Sequence, residues 1–88
     1  MRIVVIYKDQ TDYARAVTDF LRDFKYQTGH DLEIMDPDTP EGIQFCDTYD
    51  IVEYPTIIAI SSEGIMQNFW SGLPLPTISE VSFYVQQN

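Results

Sequence analysis

The stretch YDIVEYPTIIAI, Tyr49 to Ile60, decides how the chain folds. Thr56–Ile60 is a short run of apolar and β-branched residues bounded by polar ones, the pattern of a strand buried on both faces. Pro55 stands at its mouth. Proline has no N–H to give to a sheet ladder, so it is tolerated in strands only at the first position, on an edge or at a bulge. Pro55 therefore marks where the strand begins.

Working outward, SSEG (Ser61 to Gly64) is a tight turn, and Ile65 to Trp70 reads as the antiparallel partner strand. GLPLP cannot be regular structure. Thr77 then opens a helix with Glu80 three residues on, the spacing of a capping box, and Ile78, Val81, Tyr84 and Val85 form its apolar face. Upstream, the turn-rich DPDTPEG (Asp36 to Gly42) leads into a brief helix after Pro40, with Ile43 and Cys46 expected on its inner side. Leu32–Met35 is a short strand. Tyr13, Ala14, Val17, Phe20, Leu21 and Phe24 recur at spacings of three and four, which predicts an amphipathic helix capped by Asp9 or Thr11 and closed at Gly29. RIVVIYK, Arg2 to Lys8, is another buried-strand pattern. A strand, a helix and a strand at this spacing form a βαβ unit with parallel strands. The order is β-α-β-α-β-β-α: an α/β domain over residues 1–88, with a four-stranded mixed sheet and helices on both faces.

The chain has 88 residues, enough for one small core, and 44% are hydrophobic, too many for a disordered chain. No apolar run approaches the ~18 residues of a membrane span, and no signal-peptide pattern opens the chain. The expected compartment is the cytoplasm. A single cysteine, Cys46, excludes an internal disulfide and a Cys-pair zinc site. Fourteen acidic against five basic residues give a formal charge of −9. DNA, RNA and anionic membranes need clustered Lys and Arg, so none of them is expected as a partner.

The ordered set from Asp36 onward resembles the second half of thioredoxins: acidic proline-containing turn, short helix, Tyr-Gly-Ile (Tyr49-Asp50-Ile51 here), cis Pro-Thr, apolar strand, Gly turn, strand ending in Gly, final helix. VVIYKDQTDYARAVTDFL resembles the start of a glutaredoxin. The chain is thus similar to the thioredoxin-like superfamily, and the resemblance implies that Pro55 is cis and faces the family's active site. There, the residue before the proline offers its free N–H and C=O to an extended peptide or to glutathione, a minimal form of strand addition.

What the family uses for chemistry is missing. The loop that carries Cys-x-x-Cys in relatives reads Lys8-Asp9-Gln10-Thr11-Asp12-Tyr13 here, with Gln10 and Tyr13 in the two cysteine places. Neither is a thiol. Attack by a hydroxyl needs an adjacent base, and the lone histidine, His30, belongs to the far end of the helix. No catalytic residue, cofactor or metal site is therefore expected, and the acidic cluster Asp36, Asp38, Glu41 reads as turn and capping chemistry rather than a calcium loop. The leading expectation is a redox-inactive module that binds a protein or peptide. Its groove would comprise Asp9, Gln10, Thr11, Asp12 and Tyr13, the Tyr54–Pro55 turn, and Ser71–Gly72. Asp9 and Asp12 would favour a basic segment. Glutathione is not expected, because the bases that hold its carboxylates are hard to place beyond Lys8. Two alternatives stay open: a redox-sensing or mixed-disulfide role for Cys46, whose pKa the acids Asp47 and Asp50 would raise, and a structural subunit contributing Phe69 and Trp70 to an oligomer.

Overall fold

The two continuous apolar runs become the two central strands. In the computed structural model, which describes residues 1–85, β1 (Arg2–Ile6) and β3 (Thr56–Ile60) pair antiparallel from Arg2↔Ile60 to Ile6↔Thr56. Every side chain from Ile3 to Ile6 and from Thr56 to Ile60 is buried, as strands covered on both faces require. β2 (Glu33–Met35) runs parallel to β1 on one side, and β4 (Met66–Ser71) runs antiparallel to β3 on the other. The sheet order is β2-β1-β3-β4. Residues 86–88, the end of the domain expected above, lie outside the described residues.

Three helices cover this sheet. α1 (Ala14–Thr28) and α3 (Ile78–Val85) share one face, where Val17, Phe24 and Val81 pack on Ile3, Val5, Ile57 and Ala59. α2 (Pro40–Tyr49) lies on the other, where Cys46 meets Val4, Ile6, Met35, Ile58 and Ile60. The four-stranded mixed sheet and the placing of helices on both faces agree with the sequence reading. Both the Tyr54–Pro55 and the Leu73–Pro74 peptide bonds are cis.

Helix ends follow local chemistry, with one correction. Thr39 caps α2, its Oγ1 accepting from Gly42 N–H at 3.0 Å, with Pro40 at the first helical position. Thr77 and Glu80 exchange the reciprocal bonds of a capping box: Glu80 N–H donates to Thr77 Oγ1 and Thr77 N–H to Glu80 Oε1, at 3.1 and 3.0 Å. α1 closes at Gly29, in the left-handed region at φ 76°, with its N–H donating to the Lys25 carbonyl. Its start, however, is capped by neither Asp9 nor Thr11. Tyr13 stands at the N-cap with no side-chain bond, because the Thr11 hydroxyl is turned back onto the Lys8 carbonyl at 2.6 Å.

A second correction concerns α2. Its inner positions are Gly42 and Cys46, one turn apart, while Ile43 is 59% exposed. A Cβ on Gly42 would overlap the Asp36 carbonyl, so the helix sits directly on the Asp36–Pro37 turn. That close approach sets the helix's rotation and turns Ile43 outward.

Candidate functional site

Three segments meet at the mouth of β3. From the first, the loop after β1, the Lys8 ammonium lies 5.3 Å above the Tyr54 ring and 3.5 Å from Asp38. The loop is tied to itself at both main-chain atoms of Lys8. Its N–H donates to the Tyr13 hydroxyl at 3.0 Å, and its C=O accepts from Thr11. Two side chains of the expected groove thus spend their hydroxyls on holding the loop. Asp9, Gln10 and Asp12 remain exposed on its outer side, with Asp9 beside the buried Tyr7 hydroxyl, whose pKa is held above the ordinary value chiefly by burial.

The second and third segments are joined by Glu53. Its carboxylate accepts from the Ser71 hydroxyl at 2.9 Å, and its carbonyl accepts from the Thr56 hydroxyl at 2.6 Å. Gly72, at φ 74°, donates its N–H to the Pro55 carbonyl at 2.8 Å. A side chain at position 72 would be strained by that φ and would press on the Glu53 carboxylate, 2.6 Å from its Cβ. Ser71 and Gly72 are therefore locked to the Glu53–Pro55 turn. Between these ties, among the described residues, neither the N–H nor the C=O of Tyr54 has a hydrogen-bond partner.

Cys46 lies behind Tyr54. It is 7% exposed, and burial pushes its thiol up from the ordinary value, an effect partly offset by the neighbouring Tyr54 hydroxyl. The sequence assigned this rise to Asp47 and Asp50. The structure assigns it to burial of the thiol, with Asp47 and Asp50 both at exposed positions. Tyr54 is in turn held above its ordinary range, first by burial and then by the adjoining thiol. Phe69 and Trp70 face opposite sides of the sheet. Trp70 packs edge-on against Tyr84 at 5.6 Å, while Phe69 is 49% exposed on the α2 side.

The architecture has solved counterparts. Thioredoxin 1 from Thermosipho africanus superposes with a TM-score of 0.67 at 18% identity, over 99% of this chain and 92% of that one. Thioredoxin O2 from Arabidopsis thaliana, in its oxidized state, gives 0.69 at 9% identity over 98% and 72%. A putative disulphide-isomerase from Bacteroides thetaiotaomicron gives 0.66 at 17% identity over 98% and 77%. The fold is thioredoxin-like. No protein-family model matches the sequence, and no curated protein aligns with it.

In this thioredoxin-like domain the cations are unevenly placed. All five basic residues lie between Arg2 and Lys25, and of the 14 acidic ones only Asp9, Asp12, Asp19 and Asp23 precede Lys25. Everything from Tyr26 onward is acidic or neutral apart from His30. The Tyr54 turn, Glu53 and α2 therefore form an acidic surface that only Lys8 and Arg2 reach from the other half. Charge asymmetry of this kind is readable in sequence. The role of Glu53 as the tie between two loops is not, because Ser71 lies 18 residues away.

Proposed function

We propose that this thioredoxin-like domain is a non-catalytic module that receives an extended peptide at the Tyr54–Pro55 turn. The observation that carries the reading is the unpartnered main chain of Tyr54, beside a loop and a Ser71–Gly72 segment that hydrogen bonds hold in place. An unpaired donor and acceptor at a sheet's mouth is what strand addition uses, and the held neighbours lower the ordering cost of binding. Three facts speak for a non-catalytic role: the loop after β1 carries no thiol, its Thr11 and Tyr13 hydroxyls are engaged on Lys8, and Cys46 is buried with a raised pKa. A thiolate nucleophile needs the opposite environment, exposed and electropositive. The named counterparts are thioredoxins and a putative disulphide-isomerase; this domain shares their fold and holds a single cysteine.

Amide proton–nitrogen correlation spectra, recorded while extended synthetic peptides of basic, neutral and acidic composition are added, test the reading. Shifts at Lys8, Tyr54 and Gly72 that saturate with peptide support it. Peptides of all three compositions leaving those amides unmoved would discard it. Reaction of native Cys46 with a thiol reagent at about pH 8, compared with the unfolded chain, tests the non-catalytic half. The expected native rate is lower by an order of magnitude or more, and a native rate equal to the unfolded one would return the mixed-disulfide role.

A further inference from the structure

On the α2 side, Tyr54 forms one wall of a groove of about 550 Å³. Ile43 and Asp47 of α2 also line it, together with Val52 and the buried Cys46 and Ile51. Val52 is 86% exposed and Ile43 59%. Single exposed aliphatic side chains are common on any surface. Here two line one concavity together with the buried Cys46 and Ile51, and the Gly42 contact on the Asp36–Pro37 turn is what turns Ile43 outward.

The charge around the groove is one-sided. Asp47 and Asp50 line it, at the C-terminal end of α2, where the last carbonyls already carry partial negative charge. A helix end of this polarity favours Lys or Arg in its last turn, and α2 has no basic residue there. The two cations that approach from the other half are both engaged elsewhere: Arg2, over the Phe45 ring, is paired with Glu33. Lys8, the base placed nearest by its contact with Tyr54, is paired with Asp38, and no Lys or Arg follows Lys25. The groove thus combines an apolar slot with an uncompensated negative end.

We propose that this groove takes a cationic-aliphatic segment of a partner protein: a Lys or Arg side chain set against Asp47, Asp50 and the α2 carbonyl end, with a neighbouring aliphatic side chain between Ile43 and Val52. The inference rests on the reading that the Tyr54–Pro55 turn receives an extended chain, since the same chain passing Tyr54 on its α2 side enters the groove. A second copy of this chain is the poorer occupant, because each copy carries a formal charge of −9 and would bring its own acids to the contact. Nucleic acid and anionic lipid are repelled for the same reason.

The test uses the capped peptide Arg-Leu-Arg-Leu-Arg-Leu with Gln-Leu-Gln-Leu-Gln-Leu as its neutral counterpart, followed by amide correlation spectra of the 88-residue chain. With the cationic peptide the amides of Ile43, Asp47, Asp50 and Val52 should move together with those of Tyr54 and Gly72. The double variant Asp47→Asn/Asp50→Asn, both at exposed positions, should bind it about tenfold more weakly while its other amides stay unmoved, and added salt should produce a similar loss in the native chain. If Tyr54 and Gly72 move but the groove amides do not, or if the double variant binds as tightly as the native chain, the groove inference fails and the turn reading stands. If no amide of either set moves with any peptide, both fail. Sedimentation showing self-association that Val52→Ser abolishes would assign the groove to a second copy and overturn the proposal.

Discussion

The two faces of the sheet are finished to different degrees. Under α1 and α3, Val17, Phe24 and Val81 have no exposed surface, and Leu21, Leu32, Leu75, Ile78 and Trp70 seal the margins. Under α2 the central residues Val4, Ile6 and Ile58 are equally buried, but the cover stops early. Ile43, Val52 and Phe69 stand in solvent around two grooves, of about 550 and 230 Å³, that flank the Ile51–Tyr54 loop. A small domain has little surface to leave uncovered, since burial is what opposes its chain entropy. Both faces are core at their centre, but among the described residues only the α2 side leaves aliphatic and aromatic side chains exposed around its grooves.

The sharpest test of that division is Phe24→Ala, which empties the centre of the closed face. Removing a fully buried aromatic ring costs about 3–5 kcal/mol, a large part of what such a domain has, and urea unfolding should show it or a chain that no longer folds. Gly42→Ala examines how the open face gets its helix. Alanine is the better helix former, yet here its Cβ would overlap the Asp36 carbonyl, so overpacking should destabilise by about 1–3 kcal/mol. A gain in stability would mean that α2 is not seated on that turn. Ile43→Ala and Val52→Ala, at the exposed rim, should each change stability by no more than about 0.5 kcal/mol. A loss comparable with Phe24→Ala would show the open face to be core after all.

The smallest effect lies at the sheet's β2 edge. Two hydrogen bonds from the Arg2 guanidinium, at 2.8 and 2.6 Å, hold the Glu33 carboxyl below its ordinary 4.5. A carboxyl depressed in the folded state adds stability above its unfolded pKa, and that part is lost as pH falls through the folded value. Both side chains are nearly half exposed, so water and salt screen the pair and the change should be slight. Urea unfolding at about pH 7 and about pH 3 should show a slightly smaller drop for Glu33→Gln than for the native chain.

Much of the architecture was legible because it depends on neighbours in the chain. The runs at Ile3–Tyr7 and Thr56–Ile60, the Thr77–Glu80 box and the stop at Gly29 each declare themselves within a few residues. The misreadings share one cause. Thr11 looked like a helix cap by its spacing, but the Lys8 carbonyl lay within reach once the loop had turned. Ile43 looked inward by period, but backbone contact at Gly42 rotated the helix.

The sequence alone determined the order of elements, the two central strands, the single thiol and the absence of a dithiol loop, because periodicity and residue content are local properties. The tertiary structure decided which groups remain unpartnered and where they collect. Burial rather than neighbouring acids raises the Cys46 pKa, Glu53 ties Ser71 to the Tyr54 turn, and Ile43, Val52, Asp47 and Asp50 gather around one groove. Such facts depend on distances between segments far apart in the chain, and packing sets those distances.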